Sequence, residues 1–312
     1  MCKLFAITGL KSSRAERKAF ALLKAATPDL TRTDKHGFGY AQVGSTGVLN
    51  GERCLDPKEA WQSRKISYSI PSRLERYLHH LPRYNAFGQT EEKNVRTVAL
   101  MAHARYATCE ITLRNVHPFH SESLAFMHNG VVVGPNLDMS GSDDCDSMGI
   151  FNAYLKYAVH QEPEMISEAL ADIYGYYACM VLGSPALTDE ASPPFFDIWR
   201  TEGAELTATW VVGLGLVWCT SESIVRSAAG ELGYRCGETW EIQPYFLYRF
   251  NAATAEIVSI SPFDPPKPEP KTTTSQQTYL WPPRRFRAPT EIFDYEIIDE
   301  LSEGEITAAA PL

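Results

Sequence analysis

A cysteine directly behind the initiator methionine, in MCKLFAITG (1 to 9), is the first residue whose position suggests chemistry. Once Met1 is removed, Cys2 carries a thiol and a free α-amine on the same carbon, a nucleophile with its own base that no interior cysteine has. Three further stretches hold groups that could serve such a nucleophile. In AHARYAT (102 to 108), Arg105 follows an apolar run, and an arginine at a strand end can present its planar fork to a carboxylate. In FMHNGVVVG (126 to 134), the Asn129 side-chain N–H and the Gly130 backbone N–H can converge on one developing oxyanion. In GSDDCDSMGIF (141 to 151), Asp143, Asp144 and Asp146 crowd a helix start; capping needs only some of them, which leaves a carboxylate for an ammonium group. Each stretch also has a plain structural reading: a small buried residue, a surface ion pair, a hairpin turn at Asn-Gly, and a helix cap.

The elements that must position these groups are read from periodicity. Residues 2 to 9 form a strand, and Ser13 to Glu16 offer a capping box ahead of a short amphipathic helix in AFALLKAA. HGFGYAQVG (36 to 44) is a second strand. Further strands follow at 95 to 104, 123 to 134, 174 to 183, 195 to 200, 209 to 221 and 244 to 250. SMGIFNAYLKYAVHQ places Met148, Phe151, Leu155 and Ala158 on one helical face, and SEALADI continues the helical pattern. Residues 57 to 93 read as mixed and partly helical. After Ser261 the composition turns rich in Pro and Thr, then basic in PPRRFRAP, then acidic without Lys or Arg from Thr290 onward. The organisation read from this is one domain over 2 to 260, a linker over 261 to 289 and a solvated acidic tail over 290 to 312.

Bulk composition narrows the partners. The chain has 312 residues, 44% of them apolar, and a net charge of −9, which disfavours nucleic acid and anionic membranes. Seven scattered cysteines without a CxxC pair suit a reducing compartment. With no signal sequence and no bilayer-length apolar run, the expectation is a cytoplasmic protein. A metal hydrolase built on His117 and His120 with the acidic loop is one rival. Residues three apart on a strand point to opposite faces, however, and no third ligand has distinctive spacing, so neither metal nor cofactor is expected.

Taken together, MCKLFAI, HARYAT, NVHPFH, HNG and the Asp146-Ser147 helix start resemble, in type and order, the class II glutamine amidotransferase domain of the N-terminal-nucleophile hydrolase superfamily. The resemblance covers roughly residues 2 to 230. It implies an α+β fold, a four-layer αββα sandwich with two mainly antiparallel sheets and helices outside. It further implies that Cys2 attacks the glutamine side-chain amide with its α-amine as base, and that Asn129 and Gly130 form the oxyanion hole. Arg105, assisted by Thr108, would hold the substrate carboxylate and Asp146 the ammonium, with His117 near the pocket. The chemistry is consistent, since an α-amine near about 7.7 to 8.0 and a thiol near about 8.5 exchange a proton at little cost. Two departures stand out. Cys109 occupies a position where the sugar-phosphate branch has histidine, and Asp143 and Asp144 compete with Asp146 for the ammonium. Larger relatives fuse this domain to a synthetase, whereas the residues beyond about 230 hold no phosphate-binding loop. The expectation is a stand-alone glutaminase that supplies ammonia to a separate synthetase partner docked through residues 262 to 312. The alternative is an amide hydrolase of the same fold that acts on γ-glutamyl or other linear amides without passing ammonia on.

Overall fold

The structure, a computed structural model, describes residues 2–58 except 46 and 48, and 96–263 except 122, 134–136, 139, 141–144, 159–162, 172 and 185–192. The segment read as mixed over 57 to 93, and the linker and tail from 264 onward, lie outside the described residues or almost so.

Strands that are apolar at every position, not at alternate ones, require cover on both faces. Such runs dominate this chain, and the fold supplies that cover. One sheet has seven strands: β1 (Lys3–Thr8), β2 (Phe38–Gly44), β3 (Leu49–Cys54), β4 (Thr97–Ala104), β9 (Thr207–Val211), β10 (Gly215–Cys219) and β11 (Cys236–Glu241). The other has six: β5 (Phe119–His120), β6 (Leu124–Val133), β7 (Tyr174–Gly183), β8 (Phe195–Arg200), β12 (Phe246–Asn251) and β13 (Ile257–Pro262). In space the orders are β11-β9-β10-β1-β4-β2-β3 and β13-β12-β8-β7-β6-β5, and every pairing is antiparallel.

Three separate cores show how the layers stack. Leu4 and Ala6 of β1 meet Ala178, Met180 and Leu182 of β7 in a core between the sheets. Phe5 and Ile7, the alternate residues of β1, pack with Leu22, Leu23 and Ala26 of α1 (Ser13–Thr31) and Val225 and Ala229 of α4 (Glu222–Glu231). On the far side, Cys179 and Val181 of β7 pack with Ile150, Phe151 and Tyr154 of α2 (Asp146–Ala158) and Ile166 and Leu170 of α3 (Pro163–Leu170). Three cores between four layers make an αββα sandwich, as expected.

Several local readings are corrected. The run 209 to 221 is two strands, β9 and β10, because Gly213 (φ 69°) turns the chain between them. Helix α1 begins one residue earlier than the capping box suggests. Ser12 is its cap, accepting from the Ala15 N–H at 3.1 Å, while the Glu16 carboxylate accepts from Thr97 Oγ1 at 2.8 Å. The helix is also longer, 19 residues with Pro28 inside it.

Candidate active site

The register of the central strands brings three chain segments to one level. Lys3 pairs with Ala104 across β1 and β4, and Phe38 pairs with Ala104 across β2 and β4, so Cys2, Arg105 and Gly37 emerge side by side at the sheet end. The Arg105 N–H donates to the Gly37 carbonyl at 2.8 Å, and the Arg105 carbonyl accepts from the His36 N–H at 3.0 Å. Beyond it the chain folds over the cysteine. The Tyr106 N–H donates to Cys2 Sγ at 3.2 Å, and the Ala107 N–H donates to His36 Nδ1 at 2.9 Å. Burial pushes the Cys2 thiol up to about 11, with the Tyr106 N–H opposing, Asp34 adding to the rise, and the positive chain terminus and Arg105 pulling it down.

Arg105 itself is 3% exposed. Its Nη2 donates to Cys109 Sγ at 3.2 Å and to the Glu110 carbonyl at 3.0 Å, whereas Nη1 is buried with no partner among the described residues. A buried guanidinium nitrogen without an acceptor is costly unless something anionic arrives to meet it. Thr108 lies exposed on the same loop.

The second sheet closes the site from across the sandwich. His103 Nε2, on β4, lies 3.0 Å from the His128 carbonyl on β6, so the next residues, Asn129 and Gly130, sit beside the end of β4. His128-Asn129-Gly130 is therefore interior to a ten-residue strand, paired with Cys179, Ala178 and Tyr177, and the hairpin reading of Asn-Gly is excluded. Gly130 has φ 141°, and a Cβ there would stand 2.2 Å from the Tyr176 carbonyl oxygen, so only glycine fits. Asn129 is buried and its Oδ1 has no partner among the described residues.

Asp146 opens α2 where it meets β6. Its Oδ2 accepts from the Val132 N–H at 3.2 Å and its Oδ1 from the Ser147 N–H at 2.9 Å. Asp143 and Asp144 lie outside the described residues. Ser147 Oγ is 2.7 Å from His128 Nδ1, which ties the helix start to the strand that carries Asn129.

His117 lies in the interior beside His103 and close enough to Arg105 to feel its charge. It is 2% exposed, with its ring 4.3 Å from that of His103 and 4.5 Å from that of Phe119, and neither ring nitrogen has a hydrogen-bond partner among the described residues. Burial holds it far below the ordinary histidine range; burial likewise lowers His103 to about 3, and His128 to about 4 against the pull of Asp146. All three rings are neutral at pH 7. His120 is exposed while His117 is interior, so the HxxH pair does not converge, and among the described residues no three His, Cys, Asp or Glu side chains are grouped to hold a metal ion.

Sequence reasoning missed the roles of Tyr106, His36, Ser147 and the Cys109 sulfur. Main-chain N–H groups and single hydroxyls leave no pattern in composition or spacing; only the glycines after His36 hint that another backbone comes close.

No family model and no curated protein matches the chain. Solved structures do match. The chain is similar to the glutamine phosphoribosylpyrophosphate amidotransferase of B. subtilis complexed with ADP and GMP, with a TM-score of 0.55 and 18% identity over 84% of this chain and 49% of that one. It is also similar to a structure described as the allosteric regulatory enzyme of purine biosynthesis, with a TM-score of 0.55 and 14% identity over 82% of this chain and 48% of that one. The fold is that of the N-terminal-nucleophile hydrolases. The chain spans about half the length of both matched structures. Within the N-terminal-nucleophile fold, β1 is the middle strand of the seven-stranded sheet, and Cys2 stands immediately before it.

Proposed function

We propose that the protein is a glutamine amidotransferase of the class II type, a glutaminase whose nucleophile is Cys2 after Met1 is removed. The observation that carries this reading is the Cys2 sulfur beside Arg105, a buried arginine whose Nη1 has no acceptor among the described residues. A substrate carboxylate on Nη1 satisfies that nitrogen, and Asp146 receives the α-ammonium. The two charges orient an amino-acid head group and direct its side-chain amide toward the sulfur.

Removal of Met1 changes the cysteine itself. While Met1 is attached, the Cys2 nitrogen is an amide that cannot accept a proton, and burial keeps the thiol near about 11. Once Met1 is gone, the nitrogen is an amine, which takes the thiol proton directly or through a water. The thiolate attacks the amide carbon, the negative charge that develops on oxygen is met by the Asn129 side-chain N–H and the Gly130 N–H, and the amine returns the proton to the departing nitrogen as ammonia. Water then cleaves the thioester and releases glutamate. The neutral buried histidines supply no proton in this scheme. Ammonia passes to an acceptor on a separate synthetase partner, and residues 262 to 312 are proposed as its docking segment.

The test is intact-mass measurement combined with ammonia and glutamate quantification. The expected result is a chain lacking Met1 that forms both products from glutamine, and a Cys2→Ala variant that forms neither. A Met1-free chain inert toward glutamine but active on γ-glutamyl amides would replace glutamine as the substrate. A Cys2→Ala variant with full activity would end the nucleophile assignment.

A further inference from the structure

We propose that Cys109 is a positioning residue for Arg105, and that its sulfur sets how strongly the site prefers substrates carrying an α-carboxylate. The proposal rests on the glutamine reading above. It starts from an unusual sharing of acceptors. Arg105 Nη2 donates to Cys109 Sγ at 3.2 Å and to the Glu110 carbonyl at 3.0 Å. The Asn115 amide nitrogen donates to the same two atoms, at 3.6 Å to the sulfur and 3.1 Å to the carbonyl. Asn115 is fully buried and ends the short 3-10 turn Leu113–Asn115, so the acceptors are themselves held in place.

The backbone of Arg105 is already clamped by Gly37 and His36, which leaves only its side-chain torsions free. Two acceptors on one terminal nitrogen close those torsions. Because a guanidinium is planar, fixing Nη2 also fixes the direction of Nη1, the nitrogen without a partner. The choice of acceptor matters as much as the geometry. A carboxylate at position 109 would neutralise the guanidinium and compete with any incoming anion, whereas a sulfur and a carbonyl hold it and leave its charge available. Glu110 fits the same logic: its carboxylate is on an exposed residue, and it contributes its main-chain oxygen to Arg105.

The experiment compares hydrolysis of glutamine with that of 4-aminobutanamide, the same amide without the α-carboxylate, in the Met1-free full-length protein. The readout is the ratio of the two kcat/KM values, which does not depend on the fraction of active enzyme. Losing one hydrogen bond to a charged group corresponds to roughly tenfold, so Cys109→Ala is expected to lower the preference for glutamine about tenfold, mainly through KM for glutamine. Cys109→Ser restores an acceptor and is expected to recover most of the preference. Cys109→Val keeps apolar packing without the acceptor, and should behave like Cys109→Ala even if the alanine variant does not fold. An unchanged preference in either folded variant lacking the acceptor overturns the assignment while leaving the glutamine reading intact. Wild-type protein that releases no ammonia from glutamine overturns both.

Discussion

Two buried arginines, one within the six-stranded sheet and one just past the end of a strand of the other, show how differently a polar network can be closed. Arg249 on β12 is fully engaged with Asp197 on β8: Nε donates to Oδ1 at 2.8 Å, Nη2 donates to Oδ2 at 2.7 Å, and the Tyr154 hydroxyl of α2 donates to the same Oδ2 at 2.7 Å. The guanidinium also lies 4.4 Å from the centre of the Phe195 ring. Charge and hydrogen-bonding capacity are answered inside the protein, and the result fastens helix α2 to the sheet. Arg105, equally buried, has a sulfur and a carbonyl on one terminal nitrogen and, among the described residues, no acceptor on the other. The first network gives up its charge to stability, and the second, on the proposed function, keeps its charge for a substrate carboxylate.

Breaking the saturated network should affect folding and spare specificity. Asp197→Ala leaves a buried guanidinium unpaired and is expected to destabilise the protein by about 3–5 kcal/mol, read by denaturant unfolding, with KM for glutamine in the folded fraction close to wild type. The open network should respond the other way. Asn129→Ala is expected to lower turnover by about 10²- to 10³-fold with little change in unfolding midpoint; unaltered turnover would remove Asn129 from the oxyanion role. Tyr154→Phe deletes one hydrogen bond to a carboxylate that keeps its arginine, so a smaller loss of about 1.5–3 kcal/mol is expected, again without a kinetic effect.

A separate test concerns pH and the buried histidines between the two networks. His103 and His128 are held at about 3 and about 4 in the folded protein, below the ordinary histidine value of 6.5. Between pH 6.5 and about 4 the unfolded chain therefore binds more protons than the folded one, so stability falls as pH falls through that window and is flat just above it. Melting temperature measured from pH 7 to 4 should decline accordingly, and His128→Asn should flatten the slope; an identical slope would show that other groups carry it.

How much of this was legible in the sequence follows a physical line. Strands buried on both faces announce themselves, and Tyr174–Gly183 and Phe195–Arg200 coincide with the apolar runs read for them. The strands not anticipated are β3, β5, β11 and β13, and these are the four edges of the two sheets. An edge strand borders solvent and gains its place from backbone pairing, so LNGERC, CGETWE and IVSISP need no continuous apolar run. Helix α4 escaped notice because its buried face rests on Ile224, Val225, Ala228 and Ala229, two of which are small. At the candidate site, Cys2, Arg105, Asn129 and Gly130 could be singled out in the sequence because the proposed chemistry calls for particular residue types at those positions. That Asn-Gly lies inside a strand was not legible, since the dipeptide's local preference for a turn is overridden by ten residues of pairing with β7.

The place of β1 in the middle of the seven-stranded sheet has a consequence for synthesis. Its two neighbours, β4 and β10, are drawn from residues 97 to 104 and 215 to 219, so the strand emerges from the ribosome long before either partner exists. The start of the chain stays unenclosed until about two hundred further residues have been made.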